Sequence, residues 1–260
     1  MAKALILTGY GINCDYETQY AFAQAGATAD RVHVSDMITG KNELNDYDIL
    51  VVPGGFSFGD DLGSGKVLAT KLRTHFDDQL LAFIESGKLV LGICNGFQVL
   101  VNLGLLPGLG EPFTKQSALT VNLSGRFEDR WTYLSVNTDS PCVFTRDVDS
   151  LYLPVRHGEG RFLVNDVAIM EQLSANGQIV LQYTDAKGEP SEYPENPNGS
   201  EASIAGICDV TGRVFGLMPH PEAAINVTSH PRWTREQLEL PASQKIFKNA
   251  VEYVSAKVHA

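Results

Sequence analysis

Three stretches of this chain carry residue types that together can do acyl-transfer chemistry. Cys94 lies in Gly92-Ile93-Cys94-Asn95-Gly96, after the apolar run Leu89, Val90, Leu91 and before a segment where Phe97, Leu100, Val101 and Leu103 to Leu106 recur at helical spacing. The run suits one buried strand and is too short for a helix, so the spacing predicts a thiol at a strand-to-helix turn. A thiolate is the reactive form of cysteine, and a helix N-terminus favours negative charge while leaving backbone N–H groups unpaired. The N–H of Asn95 would face an oxyanion formed on a carbonyl attacked by Cys94. A second donor must come from another loop. Gly55 is the candidate, because the Gly54-Gly55 pair directly follows the apolar run Ile49 to Val52 and lets backbone approach a ligand closely. Far downstream, Met218-Pro219-His220-Pro221-Glu222 holds an imidazole between two prolines, with a carboxylate two residues on. In an extended segment both side chains point the same way, so Glu222 would hold the second ring nitrogen of His220, the orienting role of a triad.

An isolated cysteine in such a run reads as a buried core residue more often than as a nucleophile. The small residues around Cys94 and the histidine–carboxylate pair downstream shift that balance. The elements that must position these groups alternate in type. Ala4 to Thr8, Arg31 to Val34, Ile49 to Val52 and the Cys94 run read as buried strands. Asp15 to about Ala25, Leu68 to Glu85 and the segment after Cys94 read as helices, with Gly26 and Gly87 as stops. Strands alternating with helices predict a mostly parallel sheet covered on both faces, with ligands at the carboxyl ends of its strands. Both the Gly55 loop and Cys94 fall at such ends. From Gly110 to Ser203 the texture changes to short strands, at Leu119 to Leu123, Trp131 to Val136 and Leu151 to Val155, separated by loops. Ile204 to Cys208 and Val214 to Leu217 read as a strand pair leading into His220, and Ser243 to Val254 as a closing amphipathic helix. Thr228 to Leu240 reads as a surface loop.

Composition excludes several classes of function. The chain has 260 residues and a net charge of −11 without any basic run, which argues against a nucleic-acid surface. No apolar stretch is long enough for a membrane span or a signal peptide. The four cysteines, Cys14, Cys94, Cys142 and Cys208, form no C-x-x-C pair, so no metal site is expected, and a reducing cytoplasm is the default. The third glycine of a dinucleotide fingerprint starting at Gly9 is replaced by Cys14, and Val67 follows Ser64-Gly65-Lys66 where a phosphate loop needs Ser or Thr. No cofactor site is therefore expected in this chain.

The stretch Gly92-Ile93-Cys94-Asn95-Gly96-Phe97-Gln98 resembles the nucleophile motif of the class I (triad) glutamine amidotransferases. Its Cys-Asn-Gly-Phe-Gln form is similar to the glutaminase of phosphoribosylformylglycinamidine synthase. Asn13-Cys14-Asp15, the Gly54 to Asp60 loop, Pro154 to Gly160, Asn196 to Ser200 and His220-Pro221-Glu222 match the same family in order and spacing. The resemblance implies one amidotransferase domain over residues 1–260, with a flavodoxin-like α/β fold and a strand-rich insertion. It implies Cys94, His220 and Glu222 as catalytic residues, with Gln98, Phe56, Ser57 and His157 at the glutamine pocket. Gln98 shares a helix face with Cys94 by spacing, and His157 reads equally well as a structural histidine. The resemblance also implies partners: a large ATP-dependent synthetase subunit that consumes the ammonia to convert formylglycinamide ribonucleotide to its amidine, and a small bridging subunit. ATP and magnesium would belong to the partner. A glutaminase for another synthetase, a stand-alone thiol hydrolase and a non-enzymatic regulatory module are the competing readings.

Overall fold

The apolar runs pair side by side in the computed structural model, which describes residues 1–237 and 239–257. The first half alternates as β1 (Lys3–Thr8), α1 (Asp15–Gln24), β2 (Thr28–His33), α2 (Val34–Ile38), β3 (Ile49–Val52), α3 (Lys66–Glu85), β4 (Leu89–Ile93) and α4 (Asn95–Leu103). The second half adds β5 (Ser117–Thr120), β6 (Glu128–Val136), β7 (Ser150–His157), β8 (Arg161–Val164), α5 (Val167–Ala175), β9 (Ile179–Thr184), β10 (Ile204–Cys208), β11 (Val214–Leu217) and α6 (Gln244–Lys257). Strands β2-β1-β3-β4-β11 run parallel, and β10, β9, β6 and β7 extend the same sheet antiparallel. β5 and β8 form a separate antiparallel pair.

Successive strand side chains point to opposite faces, so the complete burial of β3 and β4 requires cover on both sides. Helices α1 and α6 pack together, as do α3 and α4. The α/β sheet with helices on both faces is the fold expected from the alternation. Helix α4 is buried almost all round, and each fully buried leucine on it contributes about 1.5–3 kcal/mol. It seats tightly because Gly96 has no side chain: a Cβ there would lie 1.8 Å from the carbonyl oxygen of Val52. Among the described residues, no helix is long and apolar enough to cross a membrane.

Several boundaries differ from the sequence reading for physical reasons. Val34 opens the short helix α2 instead of closing β2, because the His33 side chain accepts the backbone N–H of Ser35 and caps it. Helix α4 stops at Leu103, where Gly104 turns left-handed, so Leu105 and Leu106 are buried outside it. β5 spans Ser117–Thr120, so Val121 to Leu123 of the expected strand lie beyond its end. The strand-rich insertion adds to the central sheet, since β6, β7 and β9 lengthen it. Helix α6 buries Ile246, Phe247, Ala250 and Val254 as the spacing predicts. Of the expected surface loop Thr228 to Leu240, Leu238 lies outside the described residues.

Register brings the carboxyl ends of three neighbouring strands level. Val52 pairs with Gly92 across β3 and β4, and Leu217 pairs with Ile93 across β11 and β4. The next residues of these strands are therefore neighbours in space.

Candidate active site

Cys94 turns from β4 into α4 with φ +51° and ψ −105°, a conformation that L side chains rarely adopt. Its N–H donates to the carbonyl of Leu217 (2.8 Å), which ties the turn to β11. Its thiol donates to the carbonyl of Arg156 (3.7 Å) and is almost completely buried. Asn95 is the first residue of α4. Its N–H has no intrahelical acceptor and no other protein acceptor among the described residues.

The Gly55 loop is zipped onto the loop that follows β1. Phe56 N–H donates to Gly11 (2.8 Å), Phe58 N–H to Tyr10 (2.7 Å), and the N–H groups of Asn13 and Cys14 both donate to Gly54 (3.3 and 3.2 Å). This pairing leaves the N–H of Gly55 without a protein acceptor among the described residues. The Asn95 side chain joins the two donor-bearing segments: its Oδ1 accepts from Ser57 N–H (3.1 Å), and its Nδ2 donates to Asp60 (3.2 Å) and Gln98 (2.8 Å). Gly55 has φ +146°, and a Cβ there would lie 2.5 Å from the Gly11 oxygen and 2.9 Å from the Asn13 nitrogen. Gly55→Ala is expected to push these loops apart and turn its N–H away. The expected loss in kcat is roughly 10²- to 10³-fold, the value of one oxyanion donor, read by single-turnover formation of the acyl-enzyme.

His220 is anchored by its own N–H, which donates to Pro154 of β7 (2.9 Å). Its Nδ1 meets Glu222 Oε1 at 2.5 Å, and its Nε2 has no protein partner among the described residues. The segment is not extended as the sequence reading has it. Pro221–Ala224 forms a single 3-10 turn headed by His220, and that turn carries the Glu222 carboxylate back to the ring. Burial works against a charged imidazole here. Attraction from Glu222 and Cys94, helped by the proximity of the Cys14 and Cys94 sulfurs, outweighs it and raises the His220 pKa well above the ordinary value. Gly54 marks where these groups converge: a Cβ on it would meet His220 Cε1 at 2.8 Å, Cys14 Sγ at 3.2 Å and Cys94 Cβ at 3.5 Å.

A cavity of about 130 Å³ opens beside Cys94, lined by Asn13, Cys14, Gly55, Phe56, Phe127, Arg156 and His220 as well. A larger cavity of about 510 Å³, between β6–β7 and residues 224–243, shares no lining residue with it. Cys14 hydrogen-bonds Asn13 Oδ1 (3.3 Å), and burial pushes its thiol up, so it stays protonated and is not a second nucleophile. Cys14, His220 and Glu222 present donor atoms within 4.8 Å of one another. The short contact between His220 and Glu222 makes that group a proton-handling pair, not a cation cage.

The four residues expected at the glutamine pocket divide. Phe56 lines the cavity, facing Phe127 at 6.4 Å between ring centres. Ser57, Gln98 and His157 do not line it. Gln98 is buried with both ends of its amide used internally, Nε2 to the Glu159 carbonyl (2.5 Å) and Oε1 to Asn95. It braces the Asn95 side chain from behind. Ser57 is buried and braces Asn95. His157 ends β7 and is not in a loop. Its ring lies between Asn122 (3.2 Å) and Asn198 (3.5 Å), and burial lowers its pKa to about 3, so it is neutral and structural. Arg156, its neighbour, and Phe127 are the cavity residues that sequence reasoning passed over.

The chain is similar to known proteins along nearly its whole length. A family model described as a CobB/CobQ-like glutamine amidotransferase domain matches residues 1–254. The phosphoribosylformylglycinamidine synthase subunit PurQ of Methanococcus maripaludis is 47% identical over 268 residues, covering 96% of this chain and 97% of that protein. The subunit of the same name from Dehalococcoides mccartyi is 48% identical over 253 residues, with 96% and 97% covered. A chain from the solved structure of PurLQS from Thermotoga maritima superposes with a TM-score of 0.73 at 31% identity, over 97% of this chain and 99% of that one.

Proposed function

The chain belongs to the CobB/CobQ-like glutamine amidotransferase family, and from that premise we propose that it is the glutaminase subunit of a phosphoribosylformylglycinamidine synthase. It hydrolyses glutamine to glutamate and supplies the ammonia to a partner synthetase in purine biosynthesis. The observation that carries this reading is the convergence of Cys94, the free N–H groups of Gly55 and Asn95, and the His220–Glu222 pair at the ends of three adjacent parallel strands. Cys94 attacks the side-chain amide carbon of glutamine. His220 Nε2 takes the thiol proton and returns it to the amide nitrogen, which leaves as ammonia. Glu222 fixes the ring so that Nε2 faces the reacting atoms and stabilises the imidazolium. The N–H groups of Gly55 and Asn95 hold the oxyanion. Water then hydrolyses the thioester, with His220 as base, and releases glutamate. Phe56 forms part of the glutamine pocket, while Ser57, Gln98 and His157 act on it only through the groups they brace.

The consumer of the ammonia is a large ATP-dependent synthetase subunit, joined by a small bridging subunit. ATP and magnesium are assigned to that partner, because Val67 follows Ser64-Gly65-Lys66 where a phosphate loop needs Ser or Thr. The whole chain reads as one amidotransferase domain, and its free cysteines suit the reducing cytoplasm. The test is glutamate release by the purified chain, alone and with both partner subunits. Slow release alone that rises roughly 5- to 150-fold in the complex, the usual range of coupling between sites, supports the reading. Equal rates with and without the partners, with no ammonia transferred, overturn it.

A further inference from the structure

Arg156 is the one lining residue of the Cys94 cavity that carries a fixed charge, and the mechanism above does not use it. Strand β7 explains its placement. Alternate residues of a strand face opposite ways, so Arg156 turns towards the cavity while His157 turns into the interior. The strand is also tied to the triad through its backbone: Pro154 accepts the His220 N–H, and the Arg156 carbonyl accepts the Cys94 thiol. One guanidinium nitrogen, Nη2, stands 3.3 Å from His220 Nδ1, 3.9 Å from Glu222 Oε1 and 3.9 Å from Cys14 Sγ. Nδ1 donates its proton to Glu222, so Arg156 is not its hydrogen-bond partner. It is a positive charge held against the ring and against the carboxylate that stabilises the ring's charged form.

We infer that Arg156 is a positioning residue for proton return: its charge, set against the His220–Glu222 pair, keeps the imidazolium able to surrender its proton to the departing nitrogen. The inference rests on the glutaminase reading above. In that step the Cys94 sulfur–carbon bond forms, the carbon–nitrogen bond breaks, and the thiol's proton passes through His220 Nε2 onto the nitrogen, which leaves as ammonia. Atoms and charge balance without any co-reactant. The groups facing His220 are Glu222, Cys94, Cys14, Arg156 and, more weakly, the buried His157. Glu222 and the two cysteines favour the charged ring, and Arg156 opposes them. A base that holds its proton too firmly is a poor acid in the second half of the same step.

Arg156→Met keeps the length of the side chain and removes the charge. Imidazole titration by NMR, with the resonance assigned through His220→Gln, is expected to move to higher pH by about 0.7 units or more. That is the shift for two unit charges about 4 Å apart even when screened as in bulk water. In the complex with the partner subunits, kcat for glutamate release is expected to fall roughly fivefold, the same shift as a fold-change, with KM for glutamine unchanged. Arg156→Lys should restore both values, and Arg156→Gln repeats the test if the methionine variant does not fold. A KM increase with the titration unmoved would make Arg156 a substrate contact and overturn the inference. A titration and kcat identical to wild type would overturn it too. Wild-type complex that releases no glutamate would instead remove the glutaminase reading itself.

Discussion

Cys94→Ala abolishes glutamate release, with kcat expected to fall on the order of 10⁶-fold, leaving only what binding and the oxyanion donors supply without a nucleophile. The size of the effect follows from the absence of a substitute. The neighbouring thiol, Cys14, is kept protonated by burial and lies on the other loop. The fold should survive the change. Alanine keeps the Cβ, the backbone bond from residue 94 to Leu217 is unaffected, and only one buried sulfur is lost. Thermal unfolding should therefore show little change while the activity vanishes. The complex offers a second control: with ammonium salts supplied at high concentration, a Cys94→Ala complex should still form the amidine product, because the synthetase reaction is intact. Glutamate release persisting in the variant would remove the assignment of Cys94.

Glu222→Gln is expected to lower kcat about 10⁴-fold, comparable to the loss when the carboxylate of a triad is made an amide. The 2.5 Å contact to Nδ1 is the reason. A carboxylate can only accept there, which forces the proton onto Nδ1 and leaves Nε2 free as the base. An amide can offer an N–H instead and hold the wrong tautomer. The same exchange has a signature in stability. The folded-state pKa of His220 is raised, so its contribution is fully present below the unfolded value of about 6.5 and is lost as pH rises through the folded value. Urea unfolding of the wild type should therefore weaken across that alkaline window, and Glu222→Gln should flatten the dependence. Parallel pH profiles of unfolding would mean that Glu222 does not hold the imidazolium.

What was legible in the chain was what local pattern encodes. Ile49–Val52 and the strand before Cys94 are short apolar runs bounded by turn residues, and they form β3 and β4 as expected. β8, α5 and β9 are not among the elements expected from the sequence, although Phe162 to Val164 and Ile179 to Leu181 are short apolar runs of the same kind. Helix α5 carries Val167, Ala168, Ile169, Met170 and Leu173, yet Val167 and Ala168 are exposed and only Leu173 is fully buried, so its apolar residues do not mark out one inward face. The joining of β9 to β6 and of β10 to β9 is long-range pairing, which no local window contains. At the site, residue type announced Cys94, His220 and Glu222, but helix spacing said nothing about where the Gln98 amide would be satisfied. A buried amide must pair, and Asn95 and Glu159 were the available partners. Arg156 was hidden beside His157, which drew attention as a titratable group. The signal that separates them is the period of two along β7, which turns one inward and the other to the cavity.

The backbone of Cys94 sets stability and catalysis against each other at a single position. A non-glycine residue at φ +51° and ψ −105° carries conformational strain of about 1–3 kcal/mol. The strain is present in every folded molecule, with or without substrate. Glycine would make the same turn with little strain. A lineage selected for thermal robustness alone would therefore drift away from the nucleophile at residue 94.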